Sequence, residues 1–373
     1  MYKKHTFAEI FKVRPIMRLS TLKFFFFVSL LSFNPVLSAQ ESTTSSPAEE
    51  KEFNAVEMIM HHISDSNEWH LWTSTDENGE EHHVSIPLPI IVWKDGSFHF
   101  FLSSKIAHGH THEGFTLNHG TLASNEGLEK AGIADLFTGL DGKFVDLSIT
   151  KNVAGIFISI AFLLLIFVSA SKIYSKNNGV PKGIAGFVEP VILFIRDEVA
   201  LPNIGAKKTP VFLPLLLTIF FFIWINNLLG LVPFFPGGAN VTGNIAVTMV
   251  LALITLVVVN VNGNKNYWGH IFKPPGVPAW LLPIMIPVEF LGILTKPFAL
   301  MMRLFANITA GHIMILSLIS LVFMFKSIAI APASVALALF VSVLELLVAA
   351  LQAYIFTVLT ALFIGMAVQE EHH

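Results

Sequence analysis

The chain has 373 residues, of which 53% are apolar and only 13% charged, whereas soluble domains carry about 25% charged residues. Its net charge of −3 gives no bulk attraction to nucleic acid, and the absence of cysteine excludes disulfides and thiolate metal sites. The low charge and the long apolar runs place the chain in the membrane class.

The first 39 residues have the layout of a secretory signal peptide. A basic stretch precedes the ten-residue apolar run FFFFVSLLSF, and small residues follow near Ala39. An uncleaved anchor is the alternative, but it needs about 17 or more apolar residues. We therefore expect residues 1–39 to be removed, and the sequence leaves open whether translation begins at Met1 or Met17.

Residues 40–150 predict a small extracytoplasmic domain that contains strands. Alternating segments such as HHVSIPLPIIVW and GSFHFFLSS are separated by Gly, Asn and Asp, which is typical of strands and turns. The region holds ten of the fifteen histidines. His108, His110 and His112 alternate along HGHTH and are weak candidates for a Zn²⁺ or Cu²⁺ site. A solvated, His-rich surface is the favoured interpretation, so no metal or cofactor is expected.

Residues 151–373 predict an all-α polytopic membrane domain with about five transmembrane helices. Three apolar segments have lengths suited to crossing a bilayer, and they lie at 153–170, 211–233 and 243–262. The longer stretches 281–325 and 327–368 predict a tilted helix hairpin, with early prolines that kink its first helix or lay the start of that helix along the surface. The segment 183–200 carries four charged residues and predicts a surface helix rather than a sixth crossing.

The distribution of Lys and Arg predicts the orientation of these helices. The connection between the first two spans contains Lys172, Lys176, Lys182, Arg196, Lys207 and Lys208. Lys265 and Lys273 lie between the third and fourth spans, on the same side. Because an excess of Lys and Arg marks the cytoplasmic side, we expect a periplasmic N-terminal domain and a cytoplasmic C-terminus, with the chain in the cell inner membrane.

Arg303 lies deep in the apolar segment ALMMRLFANITAGHIMI. An arginine at the centre of a spanning helix costs about 2.5–3.5 kcal/mol on insertion scales, and its guanidinium stays protonated. Arg303 is therefore expected to act as a fixed positive charge, not as a proton carrier. Snorkelling to the interface is the alternative, and the apolar residues on both sides of Arg303 weigh against it.

Helical spacing predicts a polar stripe around Arg303. At 100° per residue, Glu289, Lys296 and Arg303 fall on one face, with Asn307 slightly to the other side of Arg303. His312 points to roughly the opposite face. We therefore expect His312 to meet a different partner from Arg303.

The fifth span supplies that predicted partner. Glu345 is its only charged residue before the C-terminal tail, and Gln352 follows seven residues later on nearly the same face. In an antiparallel hairpin, residues at one level have a constant index sum, which pairs His312 with Glu345 and Arg303 with Gln352. A Glu beside a His at depth predicts a proton relay. The alternative is a mutually satisfied pair that only holds the hairpin in register.

The motifs RLFANITAGH and ELLVAALQAYIFTVLTALF resemble subunit a of the rotary F-type ATP synthase, as do FFFIWINNLLGLVP and the pair Lys296–Pro297. The resemblance covers roughly residues 150–373. It implies that Arg303 is the essential arginine facing the rotor, with Asn307 and Gln352 as polar neighbours. The full set of residues implied in proton translocation is Arg303, His312, Glu345, Asn307, Gln352, Glu289 and Asn227.

The same resemblance implies two half-channels. Glu289 matches a position of the cytoplasmic path and Asn227 one of the outer path, while His312 and Glu345 match a pair that many relatives carry in reversed order. The implied function is that of a proton-translocating stator subunit of the membrane sector, coupling proton flow to rotation and ATP synthesis and non-catalytic on its own. Implied partners are the c-ring, the stator subunit b, the rest of the complex and the lipid bilayer.

The resemblance leaves several properties open. It does not cover the His-rich domain, and it fixes neither the coupling ion, H⁺ or Na⁺, nor the ring stoichiometry. A Zn²⁺ or Cu²⁺ transporter is an alternative class, but it needs paired His and acidic ligands within its spans. An intramembrane hydrolase is another, and neither HExxH nor GxSxG occurs in the spans. No P-loop is present, so no nucleotide site is expected.

Overall fold

The structure is a computed structural model. It describes residues 55–75, 81–107, 110–118, 120–132, 135, 142–177, 180–232, 234–274, 277–325 and 327–369. The predicted signal peptide, both possible start residues and His108 lie outside the described residues. The predicted strands and membrane helices fall almost entirely within them.

The described N-terminal part contains a helix, α1 (Ala55–Ile63), and short strands. The strands are β1 (Glu68–Thr75), β2 (Glu81–Pro87), β3 (Pro89–Lys94), β4 (Ser97–Leu102), β5 (Phe115–Asn118), β6 (Thr121–Ser124), β7 (Glu129–Lys130) and β8 (Lys143–Asp146). Strands β1 and β2 pair antiparallel, as do β5 and β6, and a four-stranded sheet has the order β4-β3-β8-β7. Alternation buries Ile90 and Val92 of β3 against Phe115 and Phe144. The strands predicted in this region are confirmed.

The membrane part is helical, as predicted. Its helices are α2 (Lys151–Lys176), α3 (Ile184–Phe194), α4 (Leu201–Ile204), α5 (Thr209–Leu231), α6 (Ile245–Val261), α7 (Lys265–Phe272), α8 (Leu282–Met324) and α9 (Ala331–Val368). Among described residues, α2, α5, α8 and α9 are long and apolar enough to cross a membrane. Helices α6 and α7 meet at 100° and give a fifth span if they count as one.

The predicted surface helix at 183–200 is α3 followed by a π-helical turn, Ile195–Ala200. It is not among the described helices that are long and apolar enough to span a bilayer. Helix α3 packs against α2, and the π-helical turn packs against α5 and α9.

Helices α8 and α9 form the predicted antiparallel hairpin. Helix α8 has 43 residues and continues through Pro287 and Pro297, which membrane helices tolerate because neighbouring groups compensate for the freed backbone. A 3₁₀ turn, Ile328–Ile330, joins it to the 38 residues of α9. At 1.5 Å per residue α8 is about 65 Å long, twice the ~30 Å hydrocarbon core, so it must tilt or extend beyond the core.

The N-terminal domain docks on one end of the helices, which we call the domain side. This end contains the start of α2, the end of α5 and the start of α6, and α1 packs against α8 there. Trp69 of β1 is 3% exposed, belongs to the apolar core of the membrane helices and lies edge-on to Phe235, with ring centroids 5.4 Å apart. The opposite end, the tail side, contains α4, α7 and the end of α9.

The tail side is closed by polar contacts to the end of α9. The Lys208 ammonium and the Asn264 side-chain amide each donate to the Val368 carbonyl at 2.7 Å. These bonds satisfy one of the carbonyls that a helix C-terminus leaves without a partner. Gly365 lies against the Asn203 backbone so closely that a β-carbon there would overlap it.

Candidate functional site

Arg303 lies on the open face of α8. The helix buries a narrow set of side chains, Pro297, Leu300, Met301, Leu304 and Ile308 in this region, and most of its other residues are exposed or half-buried. Arg303 and Asn307 are both exposed, one turn apart, and Arg303 forms no ion pair or hydrogen bond with any described residue. A fixed charge on an apolar, unoccupied face is available to a partner that approaches α8 from outside the chain.

The other predicted members of the stripe lie nearer the tail side. Lys296 is exposed, and its ammonium lies 5.7 Å from the centroid of the Phe363 ring on α9. A cavity of about 20 Å³ lies beside it, between α6, α7, α8 and α9, which is room for one water molecule. Glu289 is half-buried, two turns further toward the tail side.

Gln352 of α9 is 5% exposed and forms no hydrogen bond with Arg303 in the described structure. The predicted register nevertheless fits the hairpin. The Ser334 hydroxyl donates to the Leu318 carbonyl across it, and Gly311 faces Glu345. In both contacts the two residue numbers add up to within a few units of the sum predicted for the polar pairs.

Glu345 is buried against α8 without a polar partner. It is 4% exposed, and neither carboxylate oxygen has a hydrogen-bond partner among the described residues. Its carboxyl packs so closely against Gly311 of α8 that a β-carbon added to Gly311 would overlap it. A buried carboxyl without hydrogen bonds is costly unless it is protonated or reached by water.

His312 is half-buried and its imidazole faces α5. A β-carbon on Gly230 of α5 would lie 3.7 Å from its Nε2 atom. Residue 311, not residue 312, points at α9, because successive residues of a helix differ by 100°. His312 and Glu345 therefore lie at adjacent positions of one level without a direct hydrogen bond.

Asn227 is a junction between three segments. It is 2% exposed, its amide nitrogen donates to the Ala349 carbonyl of α9 at 3.0 Å, and its amide oxygen accepts from the Thr242 hydroxyl at 2.6 Å. These bonds join α5 to α9 and to the loop before α6. Sequence reasoning missed Thr242 and Gly311, because nothing local marks which residue meets a distant helix.

The described residues contain no group of three His, Cys, Asp or Glu side chains that could hold a metal ion. His110 is exposed, and the Nε2 atom of His112 lies 3.7 Å from Glu113. Glu113 is also 2.7 Å from the Nδ1 atom of His99. His112 of HGHTH is thus near a carboxylate that also contacts His99.

Comparison with known proteins identifies the membrane part. A family model described as ATP synthase A chain matches residues 153–365. The chain belongs to the ATP synthase A chain family. ATP synthase subunit a of Chloroherpeton thalassium is 50% identical over 235 residues, which cover 61% of this chain and 69% of that protein. The protein of the same name from Myxococcus xanthus is 46% identical over 242 residues, 63% of this chain and 78% of its own length.

The match to the ATP synthase A chain family includes every residue predicted to translocate protons. Membership makes the chain a membrane subunit that is not catalytic on its own. The N-terminal domain lies outside this match. A separate family model, described only as a domain of unknown function, matches residues 58–136.

Proposed function

We propose that Arg303 is the fixed charge at which rotor carboxyls release their protons, in a chain that acts as the proton-translocating stator subunit of the membrane sector of F-type ATP synthase. The observation that carries this proposal is the exposed guanidinium on the open face of α8, which has no ion-pair or hydrogen-bond partner among the described residues. A c-ring carrying one buried carboxyl per subunit fits that face.

Arg303 determines where a rotor carboxyl becomes ionised and releases its proton. A carboxylate facing lipid is too costly to stay charged, so it crosses the bilayer in the protonated form. Beside Arg303 the ionised form is favoured and the proton leaves. Because the guanidinium keeps its own proton, it also opposes a direct proton leak. Each 100 mV of membrane potential supplies about 2.3 kcal/mol per charge.

Two half-channels deliver and remove that proton. His312, Glu345 and Asn227 form the domain-side path, and Glu289 belongs to the tail-side path. Asn307 and Gln352 flank Arg303 between the two. The buried Glu345 carboxyl supports the domain-side assignment, since no described residue forms a hydrogen bond with it that would hold its proton in place.

The orientation follows from the distribution of charge. The domain side faces the periplasm and the tail side, with Lys207, Lys208, Lys265 and Lys273, faces the cytoplasm. The chain is then an inner-membrane protein in which residues 1–39 are a removed signal peptide, 40–150 a periplasmic domain and 151–373 the proton-translocating domain. It works with the c-ring, subunit b and the remainder of the complex.

The proposal is tested on Arg303 itself. In purified complexes reconstituted into vesicles, Arg303→Ala should abolish proton-driven ATP synthesis while the c-ring and the ATPase head still copurify. Arg303→Lys should fail almost as completely, because an ammonium is a compact charge that loses its proton more readily when buried. Wild-type synthesis by either variant contradicts the proposal, and Met302→Leu is the matched control on the same open face.

A further inference from the structure

The N-terminal domain is fixed to the membrane helices by buried polar contacts. The Asn152 N–H donates to the Asp65 carboxylate at 3.0 Å, and the Lys151 N–H donates to the Ser66 carbonyl at 2.8 Å. The Lys151 ammonium also donates to the carbonyl of His62, at the end of α1, at 3.2 Å. The end of α1 is therefore held in a defined place at the start of α2.

A cavity of about 310 Å³ lies in the seam between the N-terminal domain and the membrane helices. Its walls come from the end of α1, strand β1, the start of α2 and the loop at 234–238. It is large enough for several water molecules. Its titratable or cationic lining side chains are His62, His70 and Lys151.

The cavity lies close to His312 of the proposed path. Gly238, in the lining loop, donates its N–H to the last turn of α5 at 3.1 Å. That turn contains Gly230, which faces the Nε2 atom of His312. Helix α1, whose last turn carries His62, packs against α8, which carries His312. The loop that lines the cavity is thus hydrogen-bonded to the turn that faces the His312 imidazole.

We infer that this cavity is the periplasmic vestibule of the proton path and that His62 passes protons from its water to His312. The inference rests on the proposed function, because it takes His312 as part of the path. A hydronium in the vestibule gives a proton to the unprotonated ring nitrogen of His62 and becomes water, and the proton on the other ring nitrogen leaves toward His312, directly or through one water. His62 ends neutral in its other tautomer, and proton exchange with vestibule water or a flip of the ring restores it for the next proton.

The first test changes His62 in the complete, reconstituted complex. With protons supplied on the domain side, His62→Ala should slow proton-driven ATP synthesis about tenfold, less than the 10²–10⁴-fold effect typical of acid–base groups, because vestibule water replaces part of the relay. Imidazole added on the domain side should restore most of the rate, and imidazole on the tail side should not. His110→Ala, an exposed histidine of the same domain outside the cavity, should keep the wild-type rate.

A second test exploits the absence of cysteine from the chain. His70→Cys places its single thiol on the cavity wall, where a cationic thiosulfonate reagent added on the domain side should reduce proton flux severalfold. His110→Cys treated in the same way should conduct normally. Unaltered flux in labelled His70→Cys, or a His62→Ala rate that is normal or is not restored by imidazole, overturns the inference. If Arg303→Ala still abolishes synthesis in that case, the proposed function stands and only the vestibule fails.

Discussion

Replacing Gly311 by alanine should impair proton conduction while leaving folding and assembly intact. In the structure a β-carbon on Gly311 overlaps the Glu345 carboxyl, which is the end of a flexible side chain and can move away. Replacing a helical glycine by alanine gains about 0.5–1 kcal/mol, and added core volume typically costs about 1–3 kcal/mol. Because the displaced group is flexible, the cost should lie near the lower end. The two effects then nearly cancel, so Gly311→Ala should fold and assemble.

Conduction should respond more strongly than stability. Moving a reacting group by about 1 Å can cost up to 10²-fold in rate, so we expect passive proton flux through the membrane sector to fall about 10- to 100-fold. The assay is dye-monitored proton flux in vesicles, together with the thermal midpoint of the assembled membrane sector.

Two other glycines of the hairpin are matched controls for Gly311. A β-carbon on Gly292 meets nothing within 4 Å, so Gly292→Ala should conduct normally. A β-carbon on Gly365 meets the Asn203 backbone, which has no flexible end to move. Gly365→Ala should therefore lower the thermal midpoint. Equal flux through the Gly311 and Gly292 variants would refute the assignment of the Glu345 carboxyl to the path.

Three further predictions concern the same path and the N-terminus. His312→Glu and Glu345→His should each slow proton flux, and the double swap should recover much of the loss if the two residues act as a unit; purely additive losses in flux would show that they are independent. Asn227→Ala removes the second hydrogen bond of the Ala349 carbonyl and the acceptor of the buried Thr242 hydroxyl, so it should lower stability by about 1–3 kcal/mol, and an unchanged thermal midpoint would contradict that reasoning. The intact mass of the purified chain should correspond to a start near residue 40, and retention of Met1 or Met17 would disprove the signal peptide.

The helices and the hairpin register were predictable because a bilayer imposes simple rules on sequence. Runs such as 281–325 exceed the ~20 residues needed to cross, and counting along an antiparallel pair locates its levels. The side chains that meet across helices were less predictable. Glu345 contacts Gly311 instead of forming a hydrogen bond with His312, because rotation about the helix axis decides the contact and a sequence fixes that angle only loosely.

The docking of the N-terminal domain was not predictable from sequence. The strands were visible from their alternation, but the contact of Trp69 with Phe235 joins residues far apart in the chain. The same holds for the bond from the Lys151 ammonium to the His62 carbonyl. Such contacts depend on how two regions with different sequence patterns fit together, and the local sequence of neither region predicts that fit.

The central claim is that two half-channels reach the rotor from opposite sides and are separated at Arg303. Because the chain has no cysteine, single His312→Cys and Glu289→Cys variants can be treated with a membrane-impermeant thiol reagent on one side of the vesicle at a time. The account predicts that proton flux through His312→Cys is blocked only from the domain side and flux through Glu289→Cys only from the tail side. Block of both variants from the same side would contradict it.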